Sequence, residues 1–323
     1  MQAISAPTPS NSNSTKGQNN SETHADRPTE LRYEAEAIKD IHAVALRIVE
    51  HSFPIEFVLA GELAQMETFA IPRIAKLLHR TRQYEDEGVK RLDDTKATMY
   101  SIFTKPAGHK DREQMITHLN WVHSHYDIHN DDNIYTLIRM FLHPIEWIEK
   151  WGRRPLNEDE KQALASELNV IAKQMKIENM PLNYEAMQAW QQKYREQNQT
   201  YHPDNLAVSE GMIRAIEQHF PRVIRPLIKP TVLTLLDNET LIEALGFKAP
   251  SLLTKALVKT GITSWKYASR LYNPWSHRKF SNGWFVNYYP SYANEPGGFN
   301  LCKVGPKKLL TARDKQEIRC PFH

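Results

Sequence analysis

Three observations in the sequence predict an all-α fold. Apolar residues recur at three- and four-residue spacing through most of the chain, which is the period of a helix with one buried face. Alternating runs of β-branched residues are nearly absent, and no regular series of short strands appears. Prolines and cap-forming residues punctuate the chain at helix-length intervals.

Taken in order, residues 1–30 are polar and rich in Ser, Asn and Thr, a composition that cannot bury enough apolar surface to order itself, so a disordered tail is expected there. The helical domain is expected over 31–272. Ile38, Ile41, Ala45 and Ile48 form its first apolar stripe. A helical region from Ile55 to Arg80 follows, and Pro72 should end or kink it near Ile71, because proline lacks an amide proton and crowds the preceding turn. Helices are predicted at about 85–103, 110–126 and 132–150, with Asn130, Asp131 and Asp132 as cap candidates for the last. Asn157 and Glu160 have capping-box spacing ahead of Ala163, Leu164, Leu168 and Ile171 on one face, which predicts a helix over 158–175. Further helices are predicted near 183–197, 205–220, 222–235, 238–246 and 250–271, punctuated by Pro221, Pro226, Pro230 and Pro250. From 273 to 323 the chain is rich in aromatics, Pro, Gly and Lys without period, and an irregular extension lying against the helical body is expected. Trp284–Tyr289 is its one strand-like stretch, and no internal repeat suggests a solenoid.

The 323 residues, 41% hydrophobic and 24% charged, suffice for a large core. Only 12 are Gly, and no Gly-x-Gly-x-x-Gly, Walker or Gly-x-Ser-x-Gly string occurs, which argues against phosphate-cradling loops and a nucleophile elbow. The net charge of +3 comes from basic and acidic residues mixed along the chain, so no nucleic-acid partner is expected. Cys302 and Cys320 are too few for a disulfide framework or a Cys-based zinc site, and leave room for one late bridge. With no apolar leader and no run long enough to span a bilayer, the expected location is cytoplasmic, with at most peripheral membrane contact.

Against this scarcity of Gly stand 14 His, four of them between His118 and His129. At 100° per residue, Ile116, Leu119, His123 and Tyr126 share a helix face, while His118 and His125 point away from it. His123 is therefore the histidine expected to face the core. Two readings are open: an imidazole satisfied by a carbonyl or carboxylate, or a ligand to a metal or haem iron. The His-Glu-x-x-His string of zinc proteases and the paired Glu-x-x-His units of di-iron bundles are absent, so a single axial bond suits His123 better. Upstream, Arg91, Asp94 and Thr95 stand at i, i+3 and i+4. They form either a surface pair with a neighbouring hydroxyl or a polar group able to donate hydrogen bonds and exchange a proton beside bound iron.

Five strings carry a family resemblance: Phe69-Ala70-Ile71-Pro72, Arg91-Leu92-Asp93-Asp94-Thr95, Leu119-Asn120-Trp121-Val122-His123, Asn130 to Leu137, and Trp147 to Leu156. Their succession, over about residues 35–250, resembles the catalytic domain shared by MpaB-type oxygenases and latex-clearing rubber oxygenases. The resemblance implies globin-like helix packing around non-covalent haem b, with dioxygen used to cleave a carbon-carbon double bond of an apolar, isoprenoid-like alkene. It implies His123 as the proximal iron ligand and Arg91 and Thr95 as distal residues. Asp94 stands where the rubber oxygenases carry a Lys, so a group that accepts or returns a proton replaces an amine, and the rubber-type mechanism does not transfer intact. Fungal MpaB-like relatives are described as anchored by an N-terminal apolar helix, where this chain has its polar tail.

Two other functions fit the same residues: a non-catalytic helical binding or scaffold protein that keeps the fold, and a haem peroxidase or isomerase using the same site. Trp147, Trp151 and Gly152-Arg153-Arg154 read as a helix junction, with an Arg near a haem propionate as the alternative. Met175, Met180 and Met187 read as core gap-fillers, His143 as structural, and the basic run Lys303 to Lys308 as solvated.

Overall fold

Caps and prolines set the helix boundaries. In the computed structural model, residues 40–272, 288–295 and 299–315 are described. The expected tail over 1–30, most of the strand-like stretch, and Cys320 lie outside them. Helix α1 (40–47) runs into a π-helical turn, Ile48–Ser52. Proline at the first helical position opens both α2 (Pro54–Thr68) and α3 (Pro72–Thr81), with Ile71 extended between them, so the break expected at Ile71 separates two helices. A short α4 (Gln83–Asp86) precedes α5 (Gly88–Phe103), α6 (Lys110–His123), α7 (Asn130–Trp151) and α8 (Glu158–Gln174). Then come α9 (Tyr184–Asn198), α10 (Pro203–Gln218), α11 (Arg225–Leu236), α12 (Glu239–Ala244), α13 (Leu252–Leu271) and α14 (Lys307–Lys315). There is no strand among the described residues, and the fold is all-α as the sequence predicts.

The capping box of α8 forms as its spacing requires: the Glu160 amide donates to Asn157 Oδ1 at 2.8 Å, and the Asn157 amide donates to Glu160 Oε2 at 3.0 Å. The cap of α7 differs from expectation. His129, one residue ahead of the Asn and Asp candidates, accepts the Asp131 amide on Nδ1 at 3.3 Å. His109 and His202 cap α6 and α10 in the same way, each at 3.2 Å. Nδ1 lies two bonds from Cβ, as does an Asn or Asp side-chain oxygen, so a neutral imidazole reaches the same orphan amide.

Helices α2 and α7 pack along one another at the centre. Arg139 of α7, fully buried, donates through Nε to Glu67 Oε2 of α2 at 2.6 Å and through Nη1 to Gln191 of α9 at 2.7 Å. Burial alone would raise the Glu67 carboxyl, but Arg139 and His143 together hold it down at about 2. This cluster locks three helices in register and gives His143 the structural role expected for it.

The described part of the C-terminal segment lies across α5 and α6. Tyr289, Tyr292, Cys302, Val304 and Leu310 are buried. The Ser291 amide donates to Asp93 Oδ2 at 2.8 Å, and His118 Nε2 donates to the Val304 carbonyl at 2.7 Å. Lys303 and Lys307 are exposed and pair with Glu295 and Glu87, but the intervening Val304 is part of the core, so the basic run is only partly solvated.

Candidate functional site

Three adjoining cavities, of about 150, 230 and 120 Å³, run through the helical body. The first and middle share Gln65, Thr95, Met99, Phe103 and Met140 as walls. The middle and third share Arg91, Thr98, Leu119 and His123 among others. Together they reach the range of small-molecule sites, ~300–1,000 Å³, and a few polar groups converge on otherwise apolar walls. A wider cleft of about 660 Å³ between α4, α10 and the C-terminal segment is lined by charged side chains such as Glu87, Arg214 and Lys307 and contains neither His123 nor Thr95.

His123 closes α6 and lines both the middle and third cavities. Loss of hydration, and secondarily the positive charge of Arg91, push its imidazole down to about 4, so it is neutral at pH 7. Among the described residues its ring makes no hydrogen bond or ion pair. His118 contrasts with it. The helical phase sends His118 away from the apolar stripe, yet it is buried, because residues 302–305 cover that second face of α6 and the Val304 carbonyl accepts its hydrogen bond. His125 is exposed and bonds the Trp121 carbonyl at 2.8 Å, and His129 is spent on the α7 cap.

Arg91 and Thr95 share the middle cavity with His123. Arg91 Nη1 donates to Thr95 Oγ1 at 2.9 Å, and Thr95 Oγ1 donates to the Arg91 backbone carbonyl at 2.9 Å while accepting from Gln65 Nε2 at 3.3 Å. The guanidinium lies 5.6 Å from the centroid of the buried Tyr84 ring, and no carboxylate among the described residues is within ion-pair distance of it. Tyr84 is held there by a close helix contact: a Cβ on Gly211 of α10 would fall 2.7 Å from the Tyr84 carbonyl, so only glycine allows α10 to approach.

Asp94 borders the third cavity, but its carboxylate is engaged elsewhere. It accepts from Lys90 Nζ at 2.8 and 3.0 Å, from the Gly305 amide at 3.0 Å, and from the Tyr292 hydroxyl. The structure thus brings together Arg91, Thr95 and His123 and turns Asp94 toward the C-terminal segment.

Two residues of α2, Glu62 and Gln65, belong to the site although no sequence motif marks them. Glu62 lines the first cavity with Gln65, Thr95 and Lys96. Its Oε2 is buried without a partner among the described residues, and burial raises the carboxyl to about 7 although Lys96 and Arg91 pull the other way. Lys96 is held to the Tyr288 carbonyl and lies 4.2 Å from the Tyr289 ring centroid, and burial lowers its ammonium. The available signal was Glu62 and Gln65 at i, i+3 in a helix whose other turns are mainly apolar.

Met175, expected in the core, stands in the wall of the middle cavity, whereas Met187 is a core residue. Arg153 and Arg154 line none of the three cavities: Arg153 donates to the Ser52 carbonyl at 3.3 Å and Arg154 forms a bidentate pair with Glu160 at 2.7 Å. Among the described residues no three His, Cys, Asp or Glu side chains converge, so a metal held by protein groups alone lacks a ligand set. A neutral imidazole with an unengaged ring nitrogen could hold a cofactor that carries its metal already bound.

No family model matches the chain. Among curated proteins it is similar to "ER-bound oxygenase mpaB'" of Penicillium brevicompactum, 22% identical over 240 residues that cover 69% of this chain and 56% of that protein. It is 23% identical over 193 residues to "ER-bound oxygenase mpaB" of Penicillium roqueforti (strain FM164), covering 54% of this chain and 65% of the relative. A protein of the same name from Penicillium brevicompactum is 28% identical over 120 residues, or 35% of this chain and 31% of that one. The chain therefore spans about half of the first relative and under two thirds of the second. The similarity is to MpaB-type oxygenases; the relatives' names mention neither haem nor rubber cleavage. Although these relatives are named ER-bound, no helix among the described residues is long and apolar enough to cross a membrane.

Proposed function

We propose that the chain is a haem b-dependent oxygenase acting on an apolar alkene, in which the His123 imidazole would hold the haem. The observation that carries this reading is His123 itself: a neutral imidazole lining an apolar cavity beside Arg91, neither of them with an ion-pair partner among the described residues. Haem b, when bound, would supply the activation of dioxygen needed to cleave a carbon-carbon double bond. The name shared by the relatives supports the oxygenase class.

Each residue of the chain then has a defined task. Arg91 directs guanidinium donors into the middle cavity, and Thr95, which accepts from both Arg91 and Gln65, fixes the rotamer that does so. Glu62, with its carboxyl near 7, holds or accepts a proton at Oε2 under neutral conditions. Met99, Phe103, Leu119 and Met140 exclude water and give an apolar substrate a surface to lie on. Asp94 keeps α5 in place from behind, so that Arg91 faces the cavity.

Absorption spectroscopy of the full chain supplemented with haemin tests the reading. A Soret band that shifts on reduction and with carbon monoxide, a pyridine haemochrome of the b type, and loss of the bound signal in His123→Ala are expected. Oxygen consumption with an acyclic terpenoid alkene should follow. A colourless protein, or a spectrum unchanged in His123→Ala, overturns the haem assignment. Alkene binding without oxygen uptake favours the non-catalytic reading, and turnover without uptake favours the isomerase one.

A further inference from the structure

Between Glu243 and Glu295 the sequence contains no Asp or Glu, although seven Lys or Arg fall in that stretch. Helix α13 occupies its middle and is oriented unusually for a surface helix. Its cations face the body: Lys255 pairs with Glu239 at 2.6 Å, Lys259 pairs with Asp237 at 2.7 Å, and Lys266 and Arg270 donate to the Lys150 and Arg153 carbonyls at 2.7 and 2.9 Å. Its outward face carries no charge. Leu253, Leu257, Tyr267 and Leu271 on it are 70%, 66%, 57% and 91% exposed. A helix on a water-facing surface ordinarily buries its apolar stripe and hydrates its charges. Here Ser269 is the one buried residue of the helix.

The neighbouring element repeats the pattern. Helix α11 packs on α13; Val223 in the turn that leads into it and Leu227 in its first turn are 83% and 62% exposed. Arg222 and Arg225 flank these residues, with no carboxylate within ion-pair distance among the described residues. Residues 220–236 contain no acidic side chain. Exposed leucines clustered on one face mark an interaction surface, and the charge identifies what covers it. A second copy of the chain would bring Arg222 and Arg225 of one protomer toward the same arginines of the other, with no acidic side chain in 220–236 to meet them. An anionic bilayer complements both features, since apolar side chains enter the boundary between headgroups and acyl chains while cations and aromatic rims meet the phosphates.

We propose that α13, with residues 222–227 at the start of α11, is a docking face for an anionic lipid bilayer. The proposal is independent of the haem assignment.

Co-sedimentation of the full chain with vesicles of phosphatidylcholine alone, and of phosphatidylcholine with phosphatidylserine, tests it. Binding to the phosphatidylserine vesicles alone is expected, weakening with salt as the screening length falls from ~10 Å at 0.1 M to ~3 Å at 1 M. Combined Leu253→Glu, Leu257→Glu and Leu271→Glu should reduce the partition coefficient more than about tenfold with unchanged helical circular dichroism. Arg222→Gln and Arg225→Gln should each reduce it about fivefold. Absence of binding to either vesicle, or binding that the leucine substitutions leave intact, overturns the proposal. So does a dimer in analytical ultracentrifugation that the leucine substitutions dissociate, which would assign the face to a second copy.

Discussion

Arg91 and Asp94 stand three residues apart on one helix, and their surroundings are opposite. Asp94 is enclosed by Lys90, Tyr292 and the Gly305 amide, so its charge is neutralised and every direction is filled. Arg91 has a hydroxyl and an aromatic ring for company and no carboxylate among the described residues, at the edge of an apolar cavity. A charge whose partners are all protein groups maintains the fold, whereas a charge left without a counter-ion beside a cavity is available to a ligand. The two histidines of α6 make the same distinction: His118 Nε2 donates a hydrogen bond to the Val304 carbonyl, and the ring nitrogens of His123 stay unengaged among the described residues.

Substitution separates the two kinds of residue. Asp94→Ala leaves Lys90 buried against carbonyls without its carboxylate and frees the C-terminal segment, so a loss of about 3–5 kcal/mol in urea unfolding is expected. An unchanged midpoint would show the clamp to be energetically idle. Arg91→Met should reverse the profile, with unfolding close to that of the parent protein and oxygen uptake lowered about 10²- to 10³-fold. Full activity in that variant would remove Arg91 from the proposed chemistry.

Glu62 offers a pH test with a definite sign. Its folded carboxyl, at about 7, keeps a proton that the unfolded chain has already released above its ordinary 4.5, so stability falls as pH rises from about 4.5 through 7. Glu62→Gln removes that loss. It should stabilise the protein on the order of 2 kcal/mol at pH 8 and leave it unchanged below pH 4. It should also abolish any inflection in activity near pH 7. The smallest effect is expected from Thr95→Val, about 1 kcal/mol for the hydroxyl that orients Arg91. Seen in kcat more than in KM, it would mark Thr95 as a positioning residue.

Much of the fold can be read from local sequence because its causes are local. The break at Ile71 follows from Pro72, and the start of α8 follows from Asn157 and Glu160. The phase of His123 with Ile116 and Leu119 depends only on the helix period, and the structure places all three on buried or cavity-facing positions. The excess of His was harder to interpret. His109, His129 and His202 are caps, His42 pairs with Glu167 at 3.3 Å, and His143 supports the Arg139 cluster. None of these roles has a distinctive residue string, since any neutral imidazole at the right turn can fill it.

The sequence by itself determined the all-α class, most helix boundaries and the inward phase of His123, because periodicity, caps and prolines act over a few residues. The tertiary structure decided which polar residues remain available. Asp94 and His118 are satisfied by residues some 200 positions later in the chain, and Glu62 is raised by burial among helices that its own segment cannot specify. Helical spacing records which way a side chain points; what meets it there depends on segments far away in the chain.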